Sequence, residues 1–152
     1  MGKNLKQKKD NRTKIIGLII ILAVFGVIAY FFISSESAIY EIPPYVTGEV
    51  RTIYEWAKTP EGGALLEQIP CYCGCKYDGH KHTKNCYWKD NGEFDKHGIT
   101  CSVCFDIAKK SRQMYEQGSD VCEIRKTIDD FYKPNAHLGT LTPYPAGCQQ
   151  NG

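Results

Sequence analysis

The chain has 152 residues, 42% of them hydrophobic and 24% charged, with eight cysteines and a formal net charge of +2. That length holds one compact domain plus an appendage and excludes a multidomain enzyme, and the hydrophobic content excludes wholesale disorder. The net charge averages two unlike regions. Residues 1–14 carry six Lys/Arg (Lys3, Lys6, Lys8, Lys9, Arg12, Lys14) against Asp10, residues 15–33 carry no charge, and residues 34–152 therefore sum to −3. A mildly acidic main region argues against nucleic acid as a partner.

The basic segment 1–14 leads into an apolar run, IIGLIIILAVFGVIAYFFI, at 15–33. As a helix this run is roughly 28 Å long, close to the hydrocarbon thickness of a bilayer. No face of it carries a polar stripe, as a surface helix of a soluble domain would. The run is longer than the apolar region of a cleaved signal peptide, although Ser35, Ser37 and Ala38 are small enough for a peptidase. The sequence therefore predicts one uncleaved transmembrane helix at 15–33. Because the basic residues precede it, the N-terminus stays cytoplasmic and the main domain lies outside the cytoplasmic membrane. No cysteine near the end of the run offers a lipid attachment site.

Residues 34–47, with Pro43-Pro44, form a polar linker, and 48–152 form the outer domain. Val50, Ile53, Tyr54 and Ala57 recur at helical spacing over 48–58, and Thr59-Pro60 stops that helix. Residues 64–69 add another turn or two before Pro70. Residues 71–98, rich in Gly, Lys, Asp, Asn and His, have no period and form a long loop of the kind that carries function. Thr100 caps a helix from about 101 to 116, its inner face holding Cys101, Cys104, Ile107, Ala108 and Met114 or Tyr115. Ser119 or Asp120 caps another, with Val121, Ile124, Ile128 and Phe131 turned inward, ending before Pro134. The tail from 135 onward is extended and irregular. With no alternating strand pattern, the expected class is all-α, a small helical domain wrapped around a Cys/His-rich loop.

Seven of the eight cysteines fall between Cys71 and Cys122. Cys71, Cys73 and Cys75 sit within five residues, so disulfides among them would close small, strained rings. A loop curled at Gly74 can instead aim all three at one ion, and soft thiolates select Cu(I), Zn(II) or iron–sulfur clusters. Separate disulfides to distant partners are the alternative for this triplet. Cys101-Ser102-Val103-Cys104 puts two sulfurs on one face of a first helical turn, where thiolate is favoured. This pair suits a metal, a structural disulfide or a redox C-x-x-C alike. Cys86 is a sixth sulfur between the two groups. His80, His82 and His97 add imidazoles, each ordinary for a polar loop taken singly. Outside the membrane free thiols oxidise, so these cysteines must be paired, metal-bound or kept reduced by a partner. Cys122 on the last helix and Cys148 in the tail stand apart. A bridge between them closes a loop of 26 residues, worth about 2–4 kcal/mol.

Pro70 to Cys75, Gly79-His80-Lys81, Cys86, Asp95-x-His97-Gly98, Cys101-x-x-Cys104 and the helical segments through Ile128-Asp129 resemble the PCYCGC-motif family over roughly 65–145. These are small bacterial and archaeal surface proteins, often lipoproteins. The resemblance implies an extracytoplasmic metal-binding domain that handles copper, one branch supplying the dinuclear centre of cytochrome oxidase. The implied ligands are Cys71, Cys73, Cys75, Cys86, Cys101 and Cys104, with His80 and His97. Three features depart from the pattern: the apolar helix in place of a lipid anchor, Lys96 where an acidic residue is expected, and the additional Cys122 and Cys148.

The resulting expectation is a membrane-anchored copper(I) protein that binds more than one ion and passes copper to an acceptor protein, and that is not an enzyme. The alternatives are a copper store, a structural zinc domain with two four-ligand sites, and a thiol–disulfide oxidoreductase using Cys101 and Cys104. Most of the ligands lie on the loop, which predicts a site at the domain surface and favours delivery over storage.

Overall fold

Thr59 ends one helix and starts the next. In this computed structural model, which describes residues 16–30 and 41–148, α2 (Gly48–Lys58) and α3 (Pro60–Leu66) are separated by that residue alone. Its hydroxyl donates to the Trp56 carbonyl at 2.9 Å and accepts from the Gly62 N–H at 3.0 Å, while Pro60 occupies the first helical position, where its missing N–H costs nothing. From sequence, Thr59-Pro60 reads only as a stop, with the next helical stretch starting at residue 64. The same pair is a start signal, and α3 begins four residues earlier.

The described residues fall into two units. The first is helix α1, residues 16–30. The ends of the 15–33 run, the basic segment 1–14 and much of the 34–47 linker lie outside the described residues. Among the described residues no helix is long and apolar enough to cross a membrane.

The second unit, 41–148, is helical, and no strand occurs among the described residues beyond an isolated antiparallel bridge between Trp88 and Phe94. After α3 come two 3-10 turns, Cys75–Asp78 and Thr83–Cys86, then α4 (His97–Thr100), α5 (Ser102–Glu116), α6 (Val121–Phe131) and a final 3-10 stretch, Lys133–Leu138. Thr100, expected as an N-cap, instead ends α4, its hydroxyl donating to the His97 carbonyl at 3.3 Å. Cys101 takes the N-cap position of α5.

α5 is the central helix, contacting α2, α3, α4 and α6. It buries Cys104, Ile107, Ala108, Ser111 and Met114, whereas Tyr115 stays exposed. α6 is capped by Asp120, whose carboxylate accepts from the Glu123 N–H at 2.9 Å, and it buries Ile124 and Ile128. Phe131, expected inward, is 75% exposed at the last position of α6, where its ring packs edge-on to Tyr132 at 4.9 Å and not into the core.

Two connections hold the long loop against the helices. On one side Tyr54 of α2 packs edge-on to Tyr87 at 4.8 Å and stacks on Phe94 at 5.0 Å; such pairs add about 0.5–1.5 kcal/mol each beyond their burial. The Tyr54 hydroxyl donates to the Asp95 carbonyl at 2.7 Å, and the Trp88 indole donates to the Tyr54 carbonyl at 2.9 Å. On the other side the tail returns to the loop. Cys71 N–H donates to Thr140 Oγ1 and Thr140 N–H donates to the Cys71 carbonyl, both at 3.0 Å. Thr142 Oγ1 lies 2.8 Å from Thr140 Oγ1 and donates to the Lys81 carbonyl at 2.7 Å. The tail expected to be merely irregular is thus a clasp over the first cysteine.

Arg125 secures the clasp. Its guanidinium is buried, pairs with Asp129 at 2.8 Å, and donates to the carbonyls of Gln68, Thr142 and Pro143. A buried charge is tolerated only when its donors are satisfied in this way. Beyond the clasp, Cys122 and Cys148 are joined by a disulfide with Cα atoms 5.3 Å apart. Replacing both by serine should lower unfolding stability by about 2–4 kcal/mol, from the loop-closure entropy returned to the unfolded chain, while metal stoichiometry stays the same. Denaturant melts and metal analysis of the double variant check this; a variant that loses metal would show that the bridge also shapes the site.

Candidate metal centre

Three cysteines two residues apart can enter one compact cluster only if the backbone turns between them. Gly74 provides that change of direction with φ of +89°, and the chain then enters the 3-10 turn at Cys75. A side chain at 74 would meet nothing closer than 3.9 Å, so glycine is required there for its backbone angle and not for space. The second 3-10 turn delivers Cys86, and it is pinned by Thr83, whose N–H and hydroxyl donate to the carbonyls of Ile69 and Pro70 at 2.9 and 3.0 Å. Cys101 and Cys104 come from the start of α5. Tyr87, wholly buried, donates its hydroxyl to the Cys104 carbonyl at 2.9 Å. Gly98 lets α4 lie on that same ring: a Cβ there would fall 2.5 Å from Tyr87 Cε1.

These supports bring six sulfurs together around Cys104. Its Sγ lies 3.0 Å from Cys71 Sγ, 3.1 Å from Cys86 Sγ and 3.4 Å from Cys73 Sγ. Cys71 and Cys73 are 3.4 Å apart, Cys75 and Cys86 3.9 Å, and His97 Nε2 is 3.4 Å from Cys73 Sγ. The donors form two groups, Cys71/Cys75/Cys86/Cys104 and Cys73/His97/Cys101/Cys104, with the ligand atoms in each within 4.8 Å of one another. Seven residues make two four-donor sets because Cys104 belongs to both. The first set is buried, and in the second Cys73, His97 and Cys101 are half-exposed. The sequence placed the whole site at the surface. The tail clasp and the aromatic packing of the loop cover one half of it.

His80 stands one step out. Its Nδ1 is 3.5 Å from Cys86 Sγ and its Nε2 3.7 Å from Asp95, outside both four-donor sets. His97 is oriented differently: its backbone N–H donates to Asp95 Oδ1 at 2.8 Å, which fixes the start of α4 and points the ring at Cys73. Asp95 therefore touches both histidines. Position 96, occupied by Lys96, contributes to neither set. His82 lies away from the sulfurs, its Nε2 3.9 Å from Asp90 and its buried Nδ1 without a partner among the described residues.

The packed sulfurs share protons unequally. The hydrogen bond with Cys104 pulls Cys73 down to about 5, with Cys71 adding to it. Contact with Cys104 is also the first cause that lowers Cys75 and Cys86. Cys104 itself is pushed up, first by Cys71 and then by the other sulfurs. In Cys71 the Cys104 contact favours the thiolate, but Cys73, Cys75, Cys86 and burial outweigh it and the thiol is held up. Burial raises Cys101. The hydrogen bond with Cys86 raises His80 to about 9, and His97 is raised despite its burial by its contact with Cys73.

The donor set fits a soft cation. Six sulfurs and one imidazole, with no carboxylate in either set, exclude the hard cations calcium and magnesium, which require oxygen ligands. The profile described as "Protein of unknown function with PCYCGC motif" matches residues 35–145. The chain belongs to the PCYCGC family. Neither the curated proteins nor the solved structures contain a match to it. The geometry adds to the family motif what the motif itself does not display: the PCYCGC run divides between two donor sets, Cys71 and Cys75 in one and Cys73 in the other.

Because Cys104, Cys71 and Cys101 hold their protons in the metal-free domain, metal must displace them. Loading at pH 7 should release protons from these thiols and from the raised His97 imidazole, with affinity falling as pH falls because protons and metal compete for the same donors. Titration calorimetry in buffers of different ionisation enthalpy measures the proton release directly. Heats independent of buffer would contradict this proton distribution.

Proposed function

We propose that this chain is a membrane-anchored copper(I)-binding protein that carries copper outside the cytoplasmic membrane and passes it to an acceptor protein. The observation that carries the proposal is the convergence of six cysteines on two four-donor sets joined by Cys104. Copper(I) takes thiolates in low coordination and shares them between ions, so a bridged sulfur-rich pair of sites suits it. The position of the domain follows from the basic segment before the apolar run at 15–33. In that oxidising compartment a bound cation is also what keeps six close thiols from pairing with one another. Copper here is cargo and not a catalytic cofactor, and the proposed role involves no catalysis. The half-exposed set supports delivery over storage, since a store has no need of an accessible edge.

A structural zinc domain is the second reading, and one observation favours it: each set holds four donors, the closed tetrahedral number of zinc. An oxidoreductase using Cys101 and Cys104 has less support, because Cys104 is surrounded by three other sulfurs within 3.4 Å.

Anaerobic titration of the full-length chain in detergent with Cu(I) and Zn(II) distinguishes these readings. Copper(I) should bind at more than one ion per chain and displace zinc. A chain that saturates with zinc and gives no competition from Cu(I) would establish the zinc reading. In a transfer assay, the copper-loaded chain should donate to a protein with a dinuclear copper site, seen as a rise in the acceptor's absorbance.

A further inference from the structure

The two donor sets share a sulfur but differ in burial and in donor type. Cys71, Cys75, Cys86 and Cys104 are each no more than 1% exposed. Each is held by a separate part of the fold: Cys71 by the Thr140 clasp, Cys75 and Cys86 by the two 3-10 turns, and Cys104 by α5 and the Tyr87 hydroxyl. The clasp covers this set at Cys71, and the aromatic packing of the loop covers it on the other side. The second set has no such cover. Cys73, His97 and Cys101 are all half-exposed, and His97 forms part of the wall of a surface cleft of about 450 Å³, together with Tyr45, His80, Phe94, Asp95 and Thr100.

We propose that the buried set holds a resident ion that completes the fold, and that the Cys73/His97/Cys101 set is the exchange position through which cargo enters and leaves by the His97 cleft. This division rests on the reading of the cluster as a metal-carrying site. His97 is the donor displaced first, being the one neutral ligand and the one that lines the cleft. An incoming acceptor thiolate or imidazole bonds to the ion as the His97 bond breaks. Bonds to Cys101 and Cys73 are then exchanged in turn for acceptor bonds, and the freed sulfurs take up protons from solvent. The copper remains Cu(I) throughout. Cys104 stays behind on the resident ion, which keeps the vacated donors from collapsing into the buried half.

The partner implied by this geometry presents its own soft ligands on a protruding loop narrow enough to enter the cleft. The resident ion explains why so much of the fold is spent on Cys71 and Cys104, residues that a simple carrier would leave accessible.

Chelator challenge of the loaded full-length chain tests the division. With Cu(I), an excess of bicinchoninate should remove one portion of the metal at least about tenfold faster than the other, because the buried ion waits on local opening. Cys101→Ser and His97→Ala should abolish the fast portion and keep the slow one, with unchanged far-ultraviolet circular dichroism. Both positions are half-exposed, and the circular dichroism separates loss of a donor from loss of the fold. The same challenge with Cd(II) and EDTA should also be biphasic. That arm separates two failures: a chain that refuses a second Cu(I) but exchanges Cd(II) in two phases overturns the copper assignment and supports the division. Single-phase removal of both metals, or loss of the slow portion in Cys101→Ser, overturns the division itself.

Discussion

The Cys104 sulfur is the point on which this domain is organised. It sits in the first turn of the central helix, and three other sulfurs lie within 3.4 Å of it. Thiols so close cannot all ionise, since like charges at that distance repel strongly in a poorly solvated interior. Without a cation the cluster must retain protons on Cys104 and Cys71. With one, the repulsion becomes attraction and the same packing is stabilising. Metal affinity and folding are therefore one free energy, shared between the loop, the helix and the tail.

The supports around the cluster follow from that constraint. Tyr87 ties the loop to the Cys104 carbonyl, Thr140 ties the tail to the Cys71 backbone, and Arg125 ties the tail to α6 and to Gln68. None of these residues offers a metal ligand. Each removes freedom from a ligand, which raises affinity by reducing the ordering that binding must bring about. The Cys122–Cys148 disulfide extends the same principle to the end of the tail.

The helical class and the convergence of Cys71, Cys73, Cys75, Cys86, Cys101 and Cys104 could be read from spacing and motif. Helical periodicity identifies α2, α5 and α6, and a sulfur triplet too close for disulfides points to a metal. How the donors divide could not be read that way. The split of Cys73 from Cys71 and Cys75 depends on the left-handed turn at Gly74, and the separate roles of His80 and His97 depend on how Asp95 starts α4. The clasp joins residues 69 apart in sequence, beyond any local pattern. A threonine hydroxyl can serve a helix end, a helix start or both. Thr59 closes α2 by donating to the Trp56 carbonyl and opens α3 by accepting from the Gly62 N–H, whereas Thr100 closes α4 by donating to the His97 carbonyl, and sequence alone does not separate these cases.

The central claim, that one thiolate joins two metal positions, is open to direct observation with a spin-active metal. Cadmium-113 occupies thiolate sites and reports its ligands through chemical shift. The full-length chain loaded with cadmium-113 should give two resonances, the one from the all-sulfur set further downfield and the one from the set containing His97 upfield of it. Scalar coupling between them, transmitted through the Cys104 sulfur, is the decisive feature, and it should vanish in Cys104→Ser. Two uncoupled resonances, or a single one, would contradict the shared-sulfur account.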